Sequence, residues 1–69
     1  MEDNNFAHNL KELRIERNIG QVELAKSIGV SKGIISLWEN GKREPTLHYV
    51  MIIAEYFEIS IDELVGFKL

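Results

Sequence analysis

With 69 residues the chain has room for one small domain, residues 1–69, and its net charge of −3 excludes a strong nonspecific polyanion binder. The absence of cysteine excludes disulfide frameworks and thiolate metal sites, and 45% hydrophobic with 28% charged residues is an ordinary globular composition. No apolar run approaches the ~18 residues of a membrane-spanning helix. The polar, acidic residues 1–5 do not resemble a secretory signal, so we expect a cytoplasmic protein without a membrane partner.

The first predicted helix begins near Phe6. Phe6, Leu10 and Leu13 recur at i, i+4 and i+7, which is the spacing of one buried helix face. We expect this helix to end near Asn18. Gly20 is then available either for a left-handed turn or for capping the next helix.

Two short helices are predicted next, on either side of Gly29, which we expect to take a positive φ and to stop the first of them. Ser31 is a good N-cap for the second, which ends at Asn40-Gly41. The apolar residues that mark these helices are Val22, Leu24, Ala25 and Ile28 in the first, and Ile34, Ile35 and Trp38 in the second.

The fourth and fifth helices follow a polar loop at residues 42–45, and Thr46 is placed to cap the fourth. The residues predicted for the core face of the fourth helix are Leu47, Val50, Ala54 and Phe57. Ser60 and Glu63 have the spacing of a capping box, which predicts a short fifth helix. No segment alternates with period two for long enough to predict a strand, so the sequence predicts an all-α domain.

The segment 21–40 contains the most informative pattern. Its two helices are separated by a turn of about four residues, Gly29 to Lys32, which holds them at a steep angle. Such a crossing needs a small residue in the first helix, a turn residue that tolerates a left-handed conformation, and apolar residues on the inner side of the second helix. Ala25, Gly29 and the pair Ile35 and Trp38 meet these needs in that order.

The sequence QVELAKSIGVSKGIISLWENGKREP resembles the helix-turn-helix of phage-repressor-like, xenobiotic-response-element-type transcription regulators. The resemblance runs from about Leu10 to Leu64 and includes Leu13-Arg14 and Pro45. It implies a compact, five-helix, lambda-repressor-like DNA-binding domain with the helix-turn-helix at helices 2 and 3. It also implies that the chain binds double-stranded operator DNA as a two-fold homodimer.

By this resemblance the third helix is the recognition helix, and the residues expected to contact DNA bases are Lys32, Gly33, Ser36 and Leu37. Lys32 can donate to guanine O6 and N7, and Ile34 or Leu37 can touch a thymine methyl group if it faces outward. Gly33 departs from the family, which usually has a base-reading side chain there. We expect the glycine to allow a close approach of the backbone to DNA, and DNA shape to supply part of the specificity.

A second set of residues is expected to contact the DNA backbone: Gln21, Ser31, Asn40, Lys42, Arg43 and Thr46. Lys42 and Arg43 follow the recognition helix and can neutralise phosphates, although a solvated polar surface is the alternative for both and for Lys32. Gln21 opens a helix, where free N–H groups can also meet a phosphate. Arg14 and Glu39 match a pair that is bridged across helices one and three in the family, which implies a structural ion pair.

The fourth helix has a second apolar stripe. Tyr49, Ile52 and Tyr56 are spaced i, i+3 and i+7 on a different face from its core residues. We predict that this stripe and the apolar tail that includes Phe67 form a homodimer interface within residues 46–69. The alternative is that the stripe packs inside the monomer. Residues 46–69 carry one basic and four acidic side chains, which such an interface would direct away from DNA.

An enzymatic function and a metal site have no support in the sequence. His8 and His48 lie far apart, and there is no Gly-rich phosphate loop or nucleophile elbow. We therefore expect no catalytic residue, no metal and no cofactor. The alternative to a DNA-binding repressor is a protein-interaction module of the same fold, such as an antitoxin or a protein that sequesters a regulator. Gly33, Leu37 and the negative net charge favour that alternative.

Overall fold

Five α-helices connected by short turns make up residues 5–66, which are the residues described by the computed structural model. The helices are α1 (Phe6–Glu16), α2 (Gln21–Ile28), α3 (Lys32–Glu39), α4 (Leu47–Phe57) and α5 (Ile61–Val65). No strand occurs in this part of the chain, and the prediction of an all-α, five-helix domain is confirmed. None of these helices has the length and apolar character needed to cross a bilayer.

The connection between α1 and α2 decides between the two roles predicted for Gly20. The left-handed residue is Asn18, with φ of 55°, a conformation that asparagine tolerates better than most side chains. Gly20 has an extended backbone and occupies the N-cap position of α2, so capping is the one of its two predicted roles that is observed. Helix α1 ends at Glu16, because the chain turns through Arg17 and Asn18 before it can continue.

The turn between α2 and α3 is built from the predicted residues. Gly29 has φ of 79° and ends α2, with its N–H donating to the carbonyl of Ala25 at 2.9 Å. The Ser31 hydroxyl accepts a hydrogen bond from the N–H of Ile34 at 3.2 Å, so Ser31 caps α3. Lys32 already belongs to α3, and the turn is therefore one residue shorter than predicted.

The starts of α4 and α5 are capped differently. Thr46 occupies the N-cap position of α4, but its side chain makes no capping hydrogen bond, contrary to the prediction. At α5 the predicted capping box is complete: the Ser60 hydroxyl accepts from the Glu63 N–H at 3.0 Å, and the Glu63 carboxylate accepts from the Ser60 N–H at 3.3 Å.

All five helices contribute to one hydrophobic core. Its buried members are Phe6, Leu10, Leu24, Ala25, Ile28, Ile35, Trp38, Val50, Ile53, Ala54, Phe57 and Leu64. The Trp38 ring lies edge-on to Phe6 with the centroids 6.3 Å apart, which places Trp38 in the core as expected. Helix α3 packs against α1 and α2, whereas α5 packs against α1 and α4.

One residue predicted for the core face of α4 is on the surface, and so is one apolar residue that marks α2. Leu47 is 68% exposed, and the fully buried Ile53 completes the core face of α4 with Val50, Ala54 and Phe57 at i, i+3, i+4 and i+7. Val22 is 49% exposed, because the core face of α2 is centred on Leu24, Ala25 and Ile28. Apolar spacing alone did not separate the edge of each face from its centre.

Hydrogen bonds from Asn5 and Asn9, at the start of α1, join that helix to the end of α5, and we call this contact the clasp. The N–H of Asn5 donates to the carbonyl of Val65 at 2.7 Å, and the Asn9 side-chain amide donates to the carbonyl of Leu64 at 3.0 Å. Gly66 follows with φ of 62°. A Cβ atom added to Gly66 would lie 2.8 Å from Nδ2 of Asn9, so the clasp requires glycine at this position.

Replacing Gly66 by alanine is expected to lower the free energy of unfolding by about 1–2 kcal/mol, because a side chain is strained at positive φ. The added methyl group also displaces Asn9 from its carbonyl partner. Urea unfolding followed by circular dichroism measures the effect. Gly33→Ala is the matched control, because that glycine is helical with a negative φ, and it is expected to gain up to ~1 kcal/mol. If the two variants lose the same free energy of unfolding, the clasp does not require glycine at position 66.

Candidate nucleic-acid interface

Helix α3 buries one face and presents the other to solvent. Ile35 and Trp38 are buried against α1 and α2, and Ala25 of α2 supplies a small buried residue. On the opposite side, Gly33 and Leu37 are exposed, and Leu37 keeps 40% of its surface accessible. The four residues predicted to contact bases lie on one outward surface: Lys32 and Gly33 are exposed, Ser36 is half-buried, and Leu37 is exposed.

A charged network fixes the C-terminal end of α3. Arg14 of α1 donates to both carboxylate oxygens of Glu39, from Nε at 2.7 Å and from Nη2 at 3.0 Å. Its Nη1 donates to the carbonyl of Ile19 at 2.9 Å. The Glu39 side chain is only 3% exposed and that of Arg14 14%. The hydrogen bond to Glu39 raises the pKa of Arg14 above its ordinary value, so the guanidinium stays charged.

Gln21 takes part in this network. Its side-chain Nε2 donates to the Glu39 carboxylate at 3.1 Å, so Glu39 joins α3 to α1 and to the start of α2. The amide nitrogen that was predicted to meet a phosphate is therefore used inside the domain. The N-cap residue of α2, Gly20, offers no side chain to the first N–H groups of that helix. Sequence spacing gave no signal for the contact between Gln21 and Glu39.

Three of the predicted backbone-contacting residues surround one cleft. Ser31, Arg43 and Thr46 line a cleft of about 270 Å³ between the start of α3 and the loop that leads into α4. Pro45 and Tyr49 also line it. Arg43 and Thr46 are exposed, as is Lys42 beside them. Asn40 lies at the other end of α3, where its amide donates to the Ser36 hydroxyl at 3.3 Å.

The stripe predicted for the dimer interface is half-buried in the monomer. Tyr49, Ile52 and Tyr56 pack against the core, with the Tyr49 ring 5.6 Å from that of Trp38. Phe67 lies outside the described residues. The most exposed apolar side chains of α4 are instead Leu47 and Met51, one turn apart on another face.

The exposed acidic side chains near the end of the chain lie on other elements than the basic side chains predicted to contact DNA. Glu55 and Glu58 at the end of α4, with Asp62 and Glu63 in α5, are exposed, and α5 packs on α1 and α4. The basic residues Lys32, Lys42 and Arg43 belong to α3 and the loop after it. Between residues 5 and 66, no three histidine or acidic side chains are grouped closely enough to hold a metal ion.

The helix-turn-helix family model matches residues 10–64. The chain is 38% identical over 61 residues to the HTH-type transcriptional activator BcrR of Enterococcus faecalis, covering 88% of this chain and 30% of BcrR. It is 37% identical over 61 residues to the phage CTXphi transcriptional repressor RstR of Vibrio cholerae, covering 88% of this chain and 55% of RstR. The match thus covers less than a third of the length of BcrR and about half of the length of RstR.

A solved structure of the P22 c2 repressor protein in complex with a synthetic operator has a similar fold. The TM-score is 0.83 at 27% sequence identity, over 91% of this chain and 96% of the P22 chain. The similarity therefore covers nearly the whole of both chains.

Proposed function

This chain belongs to the phage-repressor-like helix-turn-helix family, and from that membership we propose that it is a sequence-specific regulator of transcription that binds double-stranded DNA. The observation that carries the proposal is the outward face of α3, an exposed helix surface with Lys42 and Arg43 exposed in the loop just after it. A helix of this kind fits the major groove of B-DNA, and flanking cations neutralise phosphates. The operator-bound state of the P22 c2 repressor supports the same assignment.

In the proposed complex the side chains have two tasks. Lys32, Gly33, Ser36 and Leu37 face the base edges, and Lys32 donates to a guanine or to a neighbouring phosphate. Lys42 and Arg43 neutralise phosphates, while Ser31, Asn40 and Thr46 add hydrogen bonds to the backbone. Gln21 positions α3 through Glu39, and the N–H groups at the start of α2 are the part of that segment that meets a phosphate.

We further propose that the protein acts in the cytoplasm as a homodimer that represses transcription by occupying a palindromic operator. One subunit offers few basic residues, so a second subunit is needed for tight binding. Two-fold symmetry places the half-sites about one helical turn of DNA apart. Repression is the activity named for RstR and for the P22 c2 repressor, whereas BcrR is named as an activator.

The proposal is tested by selecting binding sites from random duplex DNA at near-physiological salt and sequencing them. We expect enrichment of an inverted repeat with half-sites about one turn apart. No enrichment, from protein whose Trp38 fluorescence reports a folded core, contradicts the proposed function.

The dimer is tested separately by Ile52→Glu and Tyr56→Glu. Each places a carboxylate in the proposed interface, and we expect the sedimentation coefficient at micromolar concentration to fall from that of a dimer to that of a monomer. Met51→Glu, on another face of α4, is the matched control and should stay dimeric. Far-UV circular dichroism verifies that each variant is folded. Folded variants that keep the parent's sedimentation coefficient contradict the interface.

The second candidate function is a protein-interaction module. The exposure of Leu37 on the outward face of α3 is the observation that favours it, because an apolar side chain there suits a protein surface as well as a DNA groove. Stoichiometric copurification of a different protein, together with no enrichment in the DNA selection, is the result that this candidate requires.

A further inference from the structure

The outermost ridge of α3 has no side chain that can form a hydrogen bond. Gly33 and Leu37 are four residues apart, so they lie one above the other on the helix surface, directly opposite the buried pair Ile35 and Trp38. Lys32 and Ser36 form the neighbouring row on one flank. On the other flank Ile34 is half-buried and lines the cleft beside Pro45, so it is not part of the ridge.

Nothing within the described residues requires glycine at position 33. Its φ is not among the positive values, which belong to Gly29, Gly41 and Gly66. A Cβ atom added there would meet only the Ser31 hydroxyl, at the ordinary contact distance of 3.7 Å. Glycine weakens a helix interior, so its presence on an exposed face is unfavourable for the isolated domain. The structure thus points to an external surface that approaches the helix closely at this point.

We infer, on the basis of the proposed function, that this ridge recognises the 5-methyl group of a thymine in each half-site. The thymine methyl is the apolar group that unmodified base pairs present in the major groove, and the other base edges there present donors and acceptors. Leu37 can pack on the methyl group but cannot satisfy those donors and acceptors. Gly33, one turn earlier, lets the helix approach the base pair closely enough for that contact. Leu37 is therefore a specificity-determining residue.

The test uses the duplex from the random selection that the protein binds most tightly. Each of its thymines is replaced, one at a time, by deoxyuridine. This replacement removes the methyl group and keeps every hydrogen-bonding atom. At one thymine in each half-site we expect the Kd to rise about fourfold, the value for exposing one buried methyl group. At the other thymines the Kd should stay within experimental error of the parent duplex.

Two variants of the protein complete the test. Leu37→Ala should bind the thymine and deoxyuridine duplexes equally, whereas Ile15→Ala, an exposed apolar residue of α1, should keep the fourfold difference. Gly33→Ala should melt no lower than the parent and yet bind the selected duplex about tenfold more weakly, because its methyl group lies between helix and base.

The outcomes separate this inference from the proposed function. Specific binding that is insensitive to deoxyuridine at every position overturns the inference and leaves the proposed function intact. A difference between thymine and deoxyuridine that persists in Leu37→Ala also overturns it. Absence of any selected site contradicts the proposed function and this inference together.

Discussion

Replacing Glu39 by alanine is expected to lower the free energy of unfolding by about 3–5 kcal/mol. The carboxylate, 3% exposed, accepts two hydrogen bonds from Arg14 and one from Gln21. Without it the Arg14 guanidinium, 14% exposed, remains largely desolvated with no opposite charge beside it. The free energy of unfolding of a small domain is about 5–15 kcal/mol in total, so this single change removes a large part of the stability.

Urea unfolding of the parent and the variant, followed by far-UV circular dichroism, measures this loss. The control is the double variant Arg14→Met, Glu39→Leu, which removes both charges and should recover a substantial part of the stability. Glu12→Ala, an exposed carboxylate of α1, should change the stability by less than ~0.5 kcal/mol. If Glu39→Ala is no more destabilising than Glu12→Ala, the network is not a stabilising element.

The direction in which the pKa of Arg14 shifts also determines how the contribution of the Arg14–Glu39 pair to stability depends on pH. The hydrogen bond to Glu39 raises the pKa of Arg14 when the chain folds. The stabilisation that this bond provides is therefore fully present at pH values below the pKa of Arg14 in the unfolded chain. It is lost only as the pH rises through the pKa of Arg14 in the folded chain. Both lie far in the alkaline range. Arg14 therefore contributes no pH dependence near neutrality.

The network also matters for the proposed function, because it fixes α3, whose outward surface is proposed to face DNA. Glu39 is the last residue of α3, and its bonds to Arg14 and Gln21 fix that helix to α1 and α2. Helix α3 is held at both ends, by Ser31 at its start and by Glu39 at its end, and therefore presents its outward ridge in one orientation. Gln21 is thus a positioning residue for α3.

The features that could be predicted from the sequence are local ones. Gly29 as a left-handed helix end, Ser31 as a cap, and the capping box at Ser60 each depend on a few consecutive residues, and the structure contains all three. The physical reason is that helix ends leave unsatisfied backbone groups, and only a few residue types satisfy them. The five-helix organisation follows from these boundaries together with apolar spacing.

The features that were missed depend on tertiary contacts. The Asn9 side chain donates to the carbonyl of Leu64, 55 residues away, and an asparagine inside a helix gives no sequence signal for that contact. Ile53 was overlooked and Leu47 was wrongly predicted as core, because both are apolar and only the packing of neighbouring helices distinguishes the centre of a face from its edge. The DNA-contacting and dimer-forming roles remain predictions, since they concern contacts outside the single chain.

The second large effect is expected from Lys42→Gln combined with Arg43→Gln. If each residue neutralises one phosphate, the pair should reduce the magnitude of the log–log salt slope by about 1.8 per subunit, and by about 3.6 for a two-fold dimer. Binding to every duplex should weaken alike, because phosphates carry no sequence information. Titration of labelled duplexes by fluorescence anisotropy over a range of salt concentrations gives the salt slope and the affinity for each duplex. Lys11→Gln, an exposed cation of α1, is the matched control and should leave the slope unchanged.

Lys32→Ala separates sequence readout from this electrostatic contribution. A lysine that donates to a guanine should, when removed, relax the preference at one base pair by about 1–3 kcal/mol while scrambled duplexes are bound nearly as before. Equal losses on selected and scrambled duplexes would place Lys32 with Lys42 and Arg43 on the phosphates instead. In that case the recognition helix would have no charged base contact. Specificity would then depend on Ser36, the apolar ridge of Gly33 and Leu37, and the shape of the DNA.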